Sequence, residues 1–152
     1  MEAFLNRILS IDYGKRRIGL AVSDPTRTIA SPLTTLTRRG GKRPPWAELQ
    51  KLIAEQEVSE IVIGLPLDLA GEEGEWASEV RVFGEQVKRR TGLPVHWVDE
   101  RMSSVQAERA VRGMGLKRSQ REEKGRVDAA AAAILLRLFL DGSRIEAQSD
   151  DS

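Results

Sequence analysis

The sequence predicts an α/β fold: a mixed five-stranded sheet, three antiparallel strands followed by two parallel ones, with helices on both faces. Two observations carry that expectation. Short apolar runs open the chain around polar turns, and later runs of the same kind alternate with segments of helical periodicity. Alternation after a meander packs helices against a sheet rather than against one another.

Each element has its own signal. Arg7 to Asp12 is an apolar run that ends in the polar turn Tyr13-Gly14-Lys15-Arg16-Arg17, and Ile18 to Ser23 is a second run, so the pair predicts a hairpin. Thr28 to Thr37, between Asp24-Pro25 and Gly40-Gly41, predicts a third strand, and Pro32 within it predicts the sheet edge. After Pro44-Pro45, Trp46, Leu49, Leu52 and Ile53 fall on one helical face. Glu60 to Gly64 is the β-branched run of a central parallel strand covered on both sides. Trp76, Val80, Phe83 and Val87 predict a second helix that stops at Thr91-Gly92, and Pro94 to Asp99 predicts the last strand. Ser103-Ser104-Val105-Gln106 reads as a capping box opening a short helix that ends near Gly113. The glycine-punctuated basic stretch from Gly113 to Gly125 reads as a mobile loop, and Val127 to Leu140, rich in Ala and Leu, as the last helix.

A chain of 152 residues, 40% hydrophobic and 31% charged, predicts one domain over 1–140 and an acidic, disordered tail over 141–152. The absence of cysteine removes disulfide scaffolds, thiolate zinc sites and cysteine nucleophiles. A single His96 forbids two-histidine metal motifs, so any metal must rest mainly on carboxylates. The uncharged apolar run Ala129 to Leu136 is far short of the roughly 20 residues that span a bilayer. The amino terminus lacks the pattern of a secretory signal, so the expectation is a cytoplasmic protein with no membrane partner.

The formal net charge of +1 hides a pattern. Arg38 to Arg43 holds four basic residues and no acid, and Arg112 to Arg126 holds six against Glu122 and Glu123. The tail after Leu140 has four acids against Arg144, so it masks a basic body. Clustered cations are the footprint of a phosphate-backbone binder, with solvated surface charge as the ordinary alternative.

Ligands of open α/β sheets sit beyond the carboxyl ends of the strands, which directs attention to acids placed there. Asp12 closes the first strand, Asp99 and Glu100 close the last, and Asp128 stands at the expected start of the final helix. An oxygen-only set of this kind suits Mg²⁺ or Mn²⁺. Structural roles compete at each position: Asp12 stabilising a turn, Asp128 capping its helix, Glu100 pairing with Arg101 or Arg126. Gly14 and Gly19 have P-loop spacing, but Leu20-Ala21 stands where Lys and Ser or Thr are required. His96 reads as a packed strand residue rather than a base. Gly64-Leu65-Pro66-Leu67-Asp68 either leads a substrate-contacting loop or is a plain turn. Trp76 and Trp97 read as core residues rather than a base-stacking platform.

The combination Ile11-Asp12-Tyr13-Gly14, Arg17-Ile18-Gly19, Ala21-Val22-Ser23-Asp24, then Ile63-Gly64-Leu65-Pro66-Leu67, Asp99-Glu100-Arg101 and Val127-Asp128-x-x-Ala131 resembles the YqgF/RuvX family of the ribonuclease H-like superfamily. Four ordered blocks from about Ile8 to Leu140 carry the resemblance. It implies a ribonuclease H-like nuclease domain in which Asp12, Glu100 and Asp128 are catalytic and bind two Mg²⁺ or Mn²⁺ ions. Lys15, Arg16, Arg17, Arg101, Lys117, Arg118, Arg121, Lys124 and Arg126 would then hold structured RNA or branched DNA. Processing of the 5′ end of pre-16S rRNA is the first expectation, and resolution of four-way DNA junctions, which calls for a homodimer, is the second. Two other readings fit the residues less well: an actin-like or sugar-kinase-like ATP-binding protein using Asp12-Tyr13-Gly14, and a non-catalytic RNA-binding assembly factor.

Overall fold

The computed structural model describes residues 6–38, 43–102 and 118–145. Strand β1 (Arg7–Tyr13) turns through Gly14, whose N–H donates to the Arg17 carbonyl at 2.9 Å, into β2 (Arg17–Ser23). In the next loop the Asp24 carboxylate accepts the backbone N–H groups of Thr28 (2.8 Å) and Ile29 (2.9 Å). Those donors are therefore withheld from the sheet, and β3 (Ala30–Thr37) starts two residues later than the sequence pattern predicts. Helix α1 (Trp46–Glu55) follows the prolines, and β4 is Val58–Leu65. Helix α2 (Glu75–Thr91) ends where Gly92 adopts φ 74°, with its N–H donating to the Lys88 carbonyl at 2.8 Å. Strand β5 (Val95–Asp99) runs into a 3-10 turn, Glu100–Met102. The last element is α3 (Arg118–Leu140).

The five strands lie in the order β3-β2-β1-β4-β5. β1 and β2, and β2 and β3, are antiparallel, while β1 and β4, and β4 and β5, are parallel. The expected mixed sheet is what forms, with β3 and its Pro32 at one edge. Side chains alternate across the pleat. Leu9, Ile11, Ile18, Leu20, Ile61 and Ile63 face α1 and α2, where Leu49, Val80, Phe83 and Val87 close one core. Ile8, Ala21, Val62 and Val98 face α3 and meet Ala131, Ala132, Leu135, Leu136 and Phe139. Burying each large apolar side chain contributes roughly 1.5–3 kcal/mol, so Leu135, Leu136 and Phe139 anchor α3 firmly, while its alanines let it approach the sheet closely.

The long helix differs from the expectation. It begins at Arg118 rather than near Val127, so Arg118, Arg121, Lys124 and Arg126 belong to its backbone and not to a loop. Asp128 is in the middle of the helix and cannot cap it. Arg, Gln, Glu and Lys are strong helix formers, and their propensity prevails over the single Gly125. The expected short helix from Ser103 to Gly113, the loop as far as 117 and Lys117 lie outside the described residues. The expected tail covers 141–152, and its first residues are tied down: the Ile145 N–H donates to the Trp97 carbonyl at 2.8 Å in an antiparallel bridge to β5. Among the described residues, no helix is long and apolar enough to cross a membrane.

Candidate active site

The three acids singled out by the sequence meet the same face of the sheet, at the carboxyl end of β1. Asp12 follows Ile8 and Ser10 on the α3 side and is only 3% exposed. Its antiparallel partner is Gly19. A Cβ at Gly19 would stand 2.2 Å from the Asp128 carbonyl oxygen, so the missing side chain is what allows α3 to rest on β2 there. On the other side of Asp12, one step beyond the Ile11–Ile63 pair, lies Gly64 of β4. A Cβ on Gly64 would come within 2.9 Å of both Cγ and Oε1 of Glu100 and 2.6 Å of Leu135 Cδ1. Two glycines on neighbouring strands thus make the space in which Asp128, Asp12 and Glu100 follow one another across the sheet.

Their environments differ. Glu100 is 1% exposed, and burial, then the neighbouring Asp99 charge, pushes its carboxyl up to about 7. Asp128 accepts a hydrogen bond from Arg17 Nε at 2.7 Å in a partly buried ion pair that joins residues 111 positions apart. Arg101 does not pair with Glu100. Its guanidinium grips Asp99 at 2.8 Å and reaches the carbonyls of Asp68 and Leu69. Burial raises the Asp99 carboxyl, but the hydrogen bonds from Arg101 outweigh it and the net shift is downward. Lys15 and Arg16 are exposed on the turn after Asp12. His96 is indeed a strand residue in structural use: Nε2 lies 2.8 Å from Glu60 Oε1, and its ring is 5.0 Å from that of Phe139.

The donor chemistry and the glycine cradle fit a hard divalent cation. Carboxylate oxygens are the ligands Mg²⁺ and Mn²⁺ prefer, and a buried acid such as Glu100 gains most from a cation beside it. Among the described residues, however, no three His, Cys, Asp or Glu side chains are grouped so as to hold a metal ion together. Arg17 Nε holds Asp128 Oδ2, so that oxygen already carries a cationic partner. Sequence reasoning missed Gly19 and Gly64 as site-builders, although a glycine inside an apolar strand run is itself a signal of close approach. It did not pair Arg17 with Asp128.

Glu100 sets a pH dependence whose sign is definite. In the folded chain its carboxyl titrates near 7 instead of 4.5, so the unfolded chain releases its proton first as pH rises. The stability contributed below 4.5 is lost as pH climbs to about 7, and Glu100 itself adds no further slope above that. Glu100→Gln abolishes this slope. Thermal denaturation in a chelator should show the variant gaining on the parent chain across that window, and parallel curves would refute the assignment.

The five-stranded mixed sheet, with a long helix across one face and acids at the carboxyl end of its first strand, is a RuvC-like α/β fold. A solved structure of T. thermophilus RuvC in complex with a Holliday junction substrate has a similar fold, with TM-score 0.51 at 16% identity over 92% of this chain and 99% of that one. A family profile described as "RuvX: Holliday junction resolvase" matches residues 6–142. A protein of Roseiflexus sp. (strain RS-1) named "Putative pre-16S rRNA nuclease" is 40% identical over 144 residues, which is 95% of this chain and 100% of that protein. A protein of the same name from Anaeromyxobacter sp. (strain Fw109-5) is 43% identical over 136 residues, covering 90% and 97%. The chain belongs to the RuvX family.

Proposed function

We propose that this chain is a metal-dependent nuclease that hydrolyses phosphodiester bonds of structured nucleic acid, with the 5′ end of pre-16S rRNA as its first substrate. The observation that carries the reading is the succession Asp128, Asp12, Glu100 across two side-chain-free strand positions. The names of relatives near 40% identity support the choice of substrate.

Asp12, Glu100 and Asp128 would hold Mg²⁺ or Mn²⁺, two ions in this reading. Such ions, when bound, supply Lewis acidity and an activated water. The chain's own groups do the rest. Lys15 and Arg16 present exposed charge to the phosphate backbone beside the acids, and Arg118, Arg121, Lys124 and Arg126 are the further phosphate contacts this reading calls for. Arg17 keeps the partly buried Asp128 compensated in the free chain. Arg101 stabilises the turn that carries Glu100 by binding Asp99 and the loop of residues 68–69. The cytoplasm is the compartment this activity implies.

A second reading, junction resolution by a homodimer, is favoured by the description of the family and by the likeness to RuvC in fold. One assay separates the two. The purified chain is given a precursor rRNA 5′ leader and a four-way DNA junction side by side with Mg²⁺, Mn²⁺ or chelator. Cleavage of the leader alone, lost in chelator, is the expected result. Preferential symmetric cutting of the junction transfers the assignment to the second reading, and undiminished cleavage in chelator removes the metal.

A further inference from the structure

On the face of the sheet opposite the three acids, β1 ends in Tyr13, and a cleft opens beside it that the reading above leaves unused. Its cavity of about 410 Å³ lies within the roughly 300–1,000 Å³ typical of ligand pockets. Tyr13 and Phe83 form the floor, with ring centroids 3.9 Å apart and planes 12° from parallel. Trp46 is the wall, stacked on Phe83 at 5.5 Å and 20°. Trp76 extends the same run of rings from the far side of Tyr13, at 5.6 Å and 7°. The two ends of this run are covered by exposed cations rather than by core, Lys15 on Trp76 and Arg90 on Trp46, so one more flat ring stacks there by displacing an exposed side chain.

Cations follow this run. Lys15 Nζ is 5.3 Å from the Trp76 ring, the Arg38 guanidinium 4.6 Å from Tyr13 and that of Arg90 4.3 Å from Trp46. Such contacts occur about once per 70–80 residues. Three on one continuous stack is therefore a local concentration rather than background. Arg43 and Arg90 are exposed on the cleft rim, and Gln86 and Glu79 add donor and acceptor groups there.

We propose that this aromatic and basic cleft is a second nucleic-acid subsite, which stacks an unpaired base from a single-stranded segment flanking the cleavage point. Asp12 and Tyr13 are consecutive, and strand alternation sends one to the acids and the other to the cleft. A strand leaving the acids crosses the Gly14–Arg17 turn, passes the exposed Lys15 and Arg16, and reaches the cleft on the other side. Positive charge that tracks a backbone, with rings that stack bases, is how single strands are held without sequence preference. The inference rests on the nuclease reading for its place along the substrate, and it asks for a substrate that carries an unpaired flank.

The test is fluorescence anisotropy of the full chain, in chelator, with a labelled single-stranded oligonucleotide and with the same sequence annealed into a duplex. Trp46→Leu removes the flat wall, and the double variant Arg43→Ala/Arg90→Ala removes two exposed cations without touching the core. Each should weaken single-strand binding roughly fivefold or more and leave duplex binding unchanged. Unchanged single-strand affinity in the folded double variant overturns the proposal, whether or not Trp46→Leu folds. Equal loss for strand and duplex also overturns it, because that is bulk charge. A free mononucleotide that binds as tightly as the oligonucleotide overturns the strand as occupant. Cleavage that persists in Asp12→Asn would refute the nuclease reading and leave these affinities untouched, so the two failures are distinguishable.

Discussion

Replacing Asp12 by asparagine is expected to abolish cleavage and to leave nucleic-acid affinity nearly intact. The substitution keeps the shape of the side chain and removes a negative charge from a position 3% exposed, between the two glycines that make room for Asp128 and Glu100. A neutral amide is a poor ligand for a hard cation, and loss even of an outer partner of a metal ligand costs roughly 10–100-fold. A direct ligand should exceed that loss. Binding rests mainly on cations reaching phosphates, and those remain. Single-turnover cleavage beside anisotropy with the same substrate separates the two effects. A variant that cuts at the parent rate would remove Asp12 from the reaction.

Gly19→Ala is expected to destabilise the whole chain. The added carbon would meet the Asp128 carbonyl oxygen at 2.2 Å, its carbon at 2.5 Å and the Ala129 nitrogen at 3.1 Å, all of them backbone. No rotamer relieves that clash. Helix α3 must lift, and it is anchored by Leu135, Leu136 and Phe139 in the core below. Overpacking of this kind typically costs about 1–3 kcal/mol, and a chain of this size loses about 2–4 °C of Tm per kcal/mol. Lifting α3 also draws Asp128 away from Asp12, so cleavage falls with stability. Gly74→Ala is the matched control, since a Cβ there meets nothing within 4 Å at an ordinary φ of −92°. Equal melting temperatures for the two variants would contradict the close approach of α3.

What the sequence reveals, and what it hides, follows from the range of the interactions involved. The strands are legible because β-branched runs and the edge proline Pro32 are local signals, and α2 because its apolar spacing and Gly92 are local too. The amino-terminal half of α3 is not, because polar helix formers and a polar loop look alike without a partner surface. Asp12, Glu100 and Asp128 stand out as acids near expected strand ends and a helix start, though Asp128 proves to be mid-helix. Their spatial order is set by Gly19 and Gly64, whose importance lies in what approaches them. The Arg17–Asp128 pair spans 111 positions, and no local pattern links its members. The cleft escapes for the same reason: Tyr13, Trp46 and Phe83 come from three separate elements, Tyr13 reading as part of a polar turn and the other two as helix-face residues.

The bridge between Ile145 and Trp97 has a consequence for the behaviour of the protein in a crowded solution. A parallel sheet that ends in β5 would present unsatisfied amides and carbonyls to any passing extended peptide, the template from which edge-to-edge aggregation grows. By returning antiparallel along that margin, the segment after α3 occupies one of those carbonyls with the chain's own backbone. At Trp97 the margin of the sheet thus meets a strand-like partner from its own chain rather than a stranger's.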